Sequence, residues 1–135
     1  MMEDRVKLII ADDEPRIVQL ISMLGHWVDY GIEIVATCSS GLTAYEQILK
    51  EKPDIVITDI QMPVYNGLEL IEKVHASGLT NTAFIVLSGY KVFDYARNAI
   101  SLGVIDYLVK PLDEDQLNDI LSKACSRIRQ QREND

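Results

Sequence analysis

Asp54-Ile55-Val56-Ile57-Thr58-Asp59-Ile60-Gln61-Met62-Pro63 is the stretch that decides the fold. Ile55 to Thr58 are all β-branched, which favours a strand over a helix. The apolar run is almost continuous, so both faces are covered, as in a central parallel strand. Asp59 stands where that strand ends, and Pro63 and Asn66-Gly67 open a loop after it. An acid at the carboxyl end of a buried strand occupies the place where open α/β sheets bind ligands. Aspartate is also a common turn residue, so the flanking chain has to decide between the two readings.

Toward the N-terminus, Val6 to Ala11 reads as a short buried strand that stops at Asp12-Asp13-Glu14-Pro15. Pro15 suits the first turn of a helix, and the preceding acids suit its positive end. Ile17, Leu20, Ile21, Leu24 and Val28 then follow a helical period, with Gly31 closing the connection. Ile32 to Thr37 is a second strand. Ser39-Ser40-Gly41 opens a second helix with Ala44, Tyr45, Ile48 and Leu49 on one face, broken at Lys52-Pro53.

Beyond the central strand, Leu68, Ile71, Val74 and His75 form a third helical stripe, with Gly78 as its stop. Ala83 to Leu87 is a fourth strand ending at Ser88-Gly89. A fourth helix carries Val92, Ala96, Ala99 and Ile100 and stops at Gly103. Val104 to Val109 is a fifth strand ending at Lys110-Pro111, and the last helix carries Leu117, Ile120, Leu121, Ala124 and Ile128. Strands alternating with helices imply an α/β, doubly wound parallel sheet. The flavodoxin-like order 2-1-3-4-5 is expected, and its switch point brings Asp12 and Asp13 beside Asp59.

The 135 residues fit one domain, read as residues 1–130, with the polar 131–135 as a fraying end or the start of a linker. The net charge of −8 argues against nucleic-acid binding by this domain and favours metal ions or basic partner surfaces. Cys38 and Cys125 match no ligand spacing and read as reduced thiols of a cytoplasmic protein. No signal peptide and no membrane-spanning run is visible, so no membrane contact is expected.

Asp12, Asp13, Asp59, Ser88 and Lys110 thus converge at strand ends. Like charges about 4 Å apart repel by roughly 4 kcal/mol at an effective dielectric near 20, so the cluster must protonate or bind cations. Hard oxygen donors suit Mg²⁺. A cation, a lysine and a hydroxyl together suit a phosphoryl group, and Asp59 is the natural nucleophile.

Ala11-Asp12-Asp13-Glu14, Thr58 to Pro63 with Gly67, Leu87-Ser88-Gly89 and Asp106 to Pro111 resemble the receiver domain of two-component response regulators. The resemblance runs from Val6 to about Ile128. Gly31 to Val35 and Ser88-Gly89-Tyr90 further resemble receivers joined to arabinose-regulator-type (AraC) helix-turn-helix output domains. It implies Asp59 as phosphoacceptor, with Mg²⁺ held by Asp12, Asp13, Asp59 and the Gln61 backbone carbonyl. It implies that Ser88 and Lys110 contact the phosphoryl group, that Lys110–Pro111 is cis and that Gly89 leaves the phosphate accessible.

The same resemblance implies a sensor histidine kinase as donor and a Ser88/Tyr107 switch. That switch reshapes the face of the fourth helix, fifth strand and last helix, where a homodimer forms, to control transcription. Gln61 and Tyr90 flank the pocket and are candidates for tuning water attack. Glu14 reads equally as a first-turn acid, His26 and His75 as helix-surface residues, and Trp27 as packed at the end of the first helix. Tyr90, Phe93 and Tyr95 divide between core and partner face. Three alternatives remain: an aspartyl phosphatase of the haloacid dehalogenase type, which wants an acid where Gln61 stands; a flavodoxin-like binding module, for which no glycine-rich cradle is present; and an unphosphorylated pseudo-receiver scaffold, against which the complete acid, hydroxyl and lysine set counts.

Overall fold

The computed structural model describes residues 5–89 and 104–134. Its strands are β1 (Val6–Ala11), β2 (Ile32–Cys38), β3 (Ile55–Asp59), β4 (Ala83–Ser88) and β5 (Val104–Val109). All neighbours pair in parallel, in the order β2-β1-β3-β4-β5, as the alternating pattern predicts. The described helices are α1 (Pro15–Leu24), a single turn α2 (Trp27–Tyr30), α3 (Gly41–Glu51), α4 (Gly67–Ala76) and α5 (Glu114–Asn134). The expected fourth helix, with Val92, Ala96, Ala99 and Ile100, lies outside the described residues, as do Tyr90, Phe93 and Tyr95.

Side chains alternate across the sheet, so each strand feeds two cores. Leu8, Ile10, Ile55, Ile57, Ile85 and Leu87 pack with Ile21 of α1 and with Leu117, Leu121 and Ile128 of α5. Ile9, Val56, Phe84 and Val86 pack with Ala44 and Ile48 of α3 and with Leu70, Ile71 and Val74 of α4. Covering both faces explains the unbroken apolar runs.

Three elements differ from the sequence pattern. The first helix stops at Leu24, and Val28 is 93% exposed on α2 instead of continuing the buried stripe. Gly25 is extended, and buried Asn118 of α5 takes up the freed backbone groups. Its Oδ1 accepts from the His26 amide at 2.7 Å, and its Nδ2 donates to the Leu24 carbonyl at 2.9 Å. In α4 the deeply buried positions are Gly67, Leu70, Ile71 and Val74, while Leu68 and His75 are half-buried. The close seat of Gly67 on β3 turns that helix face inward.

At the far end, residues 131–134 continue α5. Arg129 donates to the Tyr30 carbonyl at 2.7 Å. Arg132 pairs with Asp54 at 2.8 Å and donates to the Arg5 carbonyl at 3.2 Å. Both cysteines are free and buried, and burial pushes the Cys38 thiol up to about 11. Among the described residues no helix is long and apolar enough to cross a membrane.

Candidate functional site

Parallel register delivers the polar residues to one edge. Ala11 pairs with Thr58, Asp59 with Leu87, and Ser88 with Val109, so Asp12, Asp59, Ser88 and Lys110 emerge together. Backbone bonds then fix each exit. The Asp12 amide donates to the Cys38 carbonyl at 3.0 Å, Ile60 to Leu87 at 3.2 Å and Lys110 to Ser88 at 2.8 Å. The Lys110–Pro111 bond is cis.

Asp12, Asp13 and Asp59 each bring one carboxylate oxygen within 4.8 Å of the others. Lys110 Nζ lies 3.3 Å from Asp59 Oδ2 and 4.0 Å from Asp12 Oδ2. Asp12 and Asp59 are buried, whereas Asp13 is exposed. Asp12 Oδ1 accepts from the Glu14 amide at 2.9 Å, and Asp59 Oδ1 accepts from the Gln61 amide at 3.3 Å.

Burial pushes the Asp12 carboxyl up to about 6, with the charges of Asp59 and Asp13 adding to it against the Glu14 amide and Lys110. Burial also raises Asp59, opposed mainly by Lys110 and the Gln61 amide. One lysine therefore leaves the acid cluster under-neutralised. Two buried polar atoms, Asp12 Oδ2 and Ser88 Oγ, have no hydrogen-bond partner among the described residues. Such orphans are rare and call for a ligand or water. An orphaned carboxylate oxygen within an all-oxygen donor set fits a hard divalent cation, and an orphaned hydroxyl fits an anionic group bound beside it.

The model of the response regulator receiver domain family matches residues 8–122. The chain is a response regulator receiver domain. Over 125 residues this receiver is 39% identical to the uncharacterized transcriptional regulatory protein YesN of Bacillus subtilis, covering 93% of this chain and 34% of that one. It is 35% identical to the transcriptional regulatory protein HptR of Staphylococcus aureus, covering 93% of this chain and 48% of that protein. The chain thus spans less than half the length of these curated relatives. Its fold superposes on the receiver domain of AraT, a response regulator from Geobacillus stearothermophilus, with a TM-score of 0.89 and 35% identity. That match covers 94% of this chain and 98% of the other.

The remaining expected positions fall as follows. Gln61 reaches Asp59 through its backbone amide. Tyr107 is half-buried on β5 and packs against the α3–α4 side of the sheet. A Cβ on Gly89 would meet no described atom within 4 Å. Glu14 is exposed and caps nothing with its side chain. His26 pairs with Glu114 at 3.1 Å, His75 meets the Phe84 ring edge-on, and Trp27 Nε1 donates to the Ser22 carbonyl at 2.9 Å.

The loop from Ile60 to Gly67 was not legible as part of the site beyond its motif letters. Gly67 donates to the Ile60 carbonyl at 2.8 Å, and a Cβ there would strike the Asp59 carbonyl oxygen. Lys73 of α4 stands 4.5 Å above the Tyr65 ring. Only the glycine of that set carried a signal in the sequence.

Proposed function

We propose that this receiver accepts a phosphoryl group on Asp59 from the phosphohistidine of a sensor histidine kinase. The observation that carries the reading is the 3.3 Å approach of Lys110 to Asp59 beside an orphaned, buried Ser88 hydroxyl. An Asp59 oxygen attacks phosphorus, the bond from phosphorus to the kinase's imidazole nitrogen breaks, and its electron pair stays on that nitrogen. Lys110 and Ser88 meet the charge on the phosphoryl oxygens. Asp12, Asp13, Asp59 and the Gln61 carbonyl would hold Mg²⁺, which when bound supplies positive charge for the carboxylates and phosphoryl oxygens.

Phosphorylation adds about −1.5 to −2 charges. Ser88 moves toward them, Tyr107 turns inward, and the face of the expected fourth helix, β5 and α5 changes shape. That face carries homodimerisation and control of an output, which the names of the longer relatives suggest is transcription. The receiver itself acts in the cytoplasm without binding nucleic acid. Aspartyl phosphatase turnover is disfavoured because the residue two after Asp59 is Gln61, which brings an amide and no acid.

Incubation with phosphoramidate and Mg²⁺, followed by intact mass, tests the reading. The expected result is one added phosphoryl group on the parent and none on Asp59→Asn. Equal labelling of both proteins would overturn it.

A further inference from the structure

The loop that leaves Asp59 contains a backbone conformation it does not adopt by preference. Val64 has φ 70°, the left-handed region, although it is β-branched. The Tyr65 amide donates to the Pro63 carbonyl at 3.0 Å, closing a three-residue γ-turn centred on Val64, and a positive φ makes this the rare, strained hand. The Val64 side chain is 66% exposed, so its own packing does not hold it there.

The neighbours do. On one side the Gly41 amide at the start of α3 donates to the same Pro63 carbonyl at 3.2 Å. Gly41 lets the Tyr65 backbone and Cβ come so close that a Cβ on Gly41 would collide with both. On the other side the Lys73 ammonium covers the Tyr65 ring at 4.5 Å. Beyond Tyr65, Asn66 and Glu69 close a capping box, and Gly67 returns to the Ile60 carbonyl. The segment is therefore a closed loop with its strained turn clamped between two helices. Its other limb carries Gln61, whose amide lies on Asp59 Oδ1.

We propose that the Val64 turn, clamped by Gly41, Tyr65 and Lys73, is a positioning device that sets the Gln61 backbone against Asp59 and thereby sets the lifetime of the aspartyl phosphate. It rests on Asp59 being the phosphoacceptor. Without the clamp Val64 relaxes to negative φ, the limb carrying Gln61 shifts, and both cation binding and water access at Asp59 change. Strain held at a site by its surroundings is a known way to fix functional geometry. Tyr65 and Lys73 touch none of the reacting groups; they act through the loop.

The test uses four variants, Lys73→Ala, Lys73→Arg, Val64→Gly and the double Val64→Gly/Lys73→Ala, in the whole chain. Mg²⁺ affinity is read by calorimetry, and the half-life of the phosphoramidate-labelled protein by intact mass. Lys73 is exposed, and thermal melts check that each variant is folded. Lys73→Ala is expected to weaken Mg²⁺ binding and shorten the half-life, each by at least about threefold. Lys73→Arg keeps the cation over the ring and stays near the parent. Glycine adopts positive φ without strain, so Val64→Gly alone stays near the parent and the double variant recovers toward it. A Lys73→Ala protein with parental affinity and half-life overturns the proposal, and so does a double variant no better than Lys73→Ala. If the parent takes no phosphoryl group, the Asp59 reading fails, and the Mg²⁺ affinities alone still judge the clamp.

Discussion

Asp12 is only 1% exposed, yet it carries a carboxyl beside two others. Its pKa of about 6 in the fold exceeds the ordinary 3.8. Between those values the folded state holds a proton that the unfolded state has released, so stability falls as pH rises. The loss is absent below the lower value and complete above the upper one, and corresponds to about 3 kcal/mol at most. Asp12→Asn is expected to raise the melting temperature of the metal-free protein near pH 7 and to flatten its decline between about pH 4 and 6. Mg²⁺ added to the parent should raise the melting temperature more at about pH 7.5 than at about pH 5, where protons compete for the same oxygens. Differential scanning calorimetry across that range checks both. Gly67 makes a second prediction at this scale. Its Cβ would strike the Asp59 carbonyl oxygen and the Ile60 Cα, so Gly67→Ala should cost about 2 kcal/mol or more in urea unfolding. The motif letters made Asp12, Asp59, Ser88 and Lys110 legible because a lone polar residue after an apolar strand stands out. Val64 was not legible, since a valine announces no left-handed backbone.

Among the elements, the junction of α1 and α2 depends on one side chain from a distant part of the chain. Asn118 is buried and bonds the Leu24 carbonyl, the His26 amide and the Glu114 carbonyl. Asn118→Ala would leave the part-buried His26 amide and Leu24 carbonyl without this partner, at about 1–2 kcal/mol, read from the urea midpoint. Helical periodicity ran through this break because Val28 falls in phase with Leu24 by spacing alone. Nothing local to residues 24–28 reveals a partner ninety positions away. The capping of α4 was legible in kind, since Asn66 and Glu69 have capping-box spacing. They bond reciprocally at 2.9 and 3.0 Å, and Asn66→Ala should cost about 1 kcal/mol.

For the whole molecule, topology followed from the alternation of apolar runs and amphipathic segments, since few right-handed arrangements bury both faces of a five-stranded sheet. The polar end of the chain was the weaker reading. Gln, Arg and Glu look like a fraying tail when judged by polarity, yet they are good helix formers. Arg132 finds a partner only once folding brings Asp54 near. Arg132→Ala is expected to speed amide exchange from Ile128 onward while costing about 1 kcal/mol or less overall, as suits a half-exposed ion pair.

That ion pair has a geometric consequence. β3 begins beside Asp54 and ends at Asp59, so one short strand, about 17 Å from end to end, carries the mooring of the last helix at its foot and the pocket acid at its head. Because β3 is laddered to β1 on one side and β4 on the other, a shift at either end of it is shared with both neighbours. The anchorage of α5 and the acid pocket thus sit at opposite ends of the same central strands, β1 and β3.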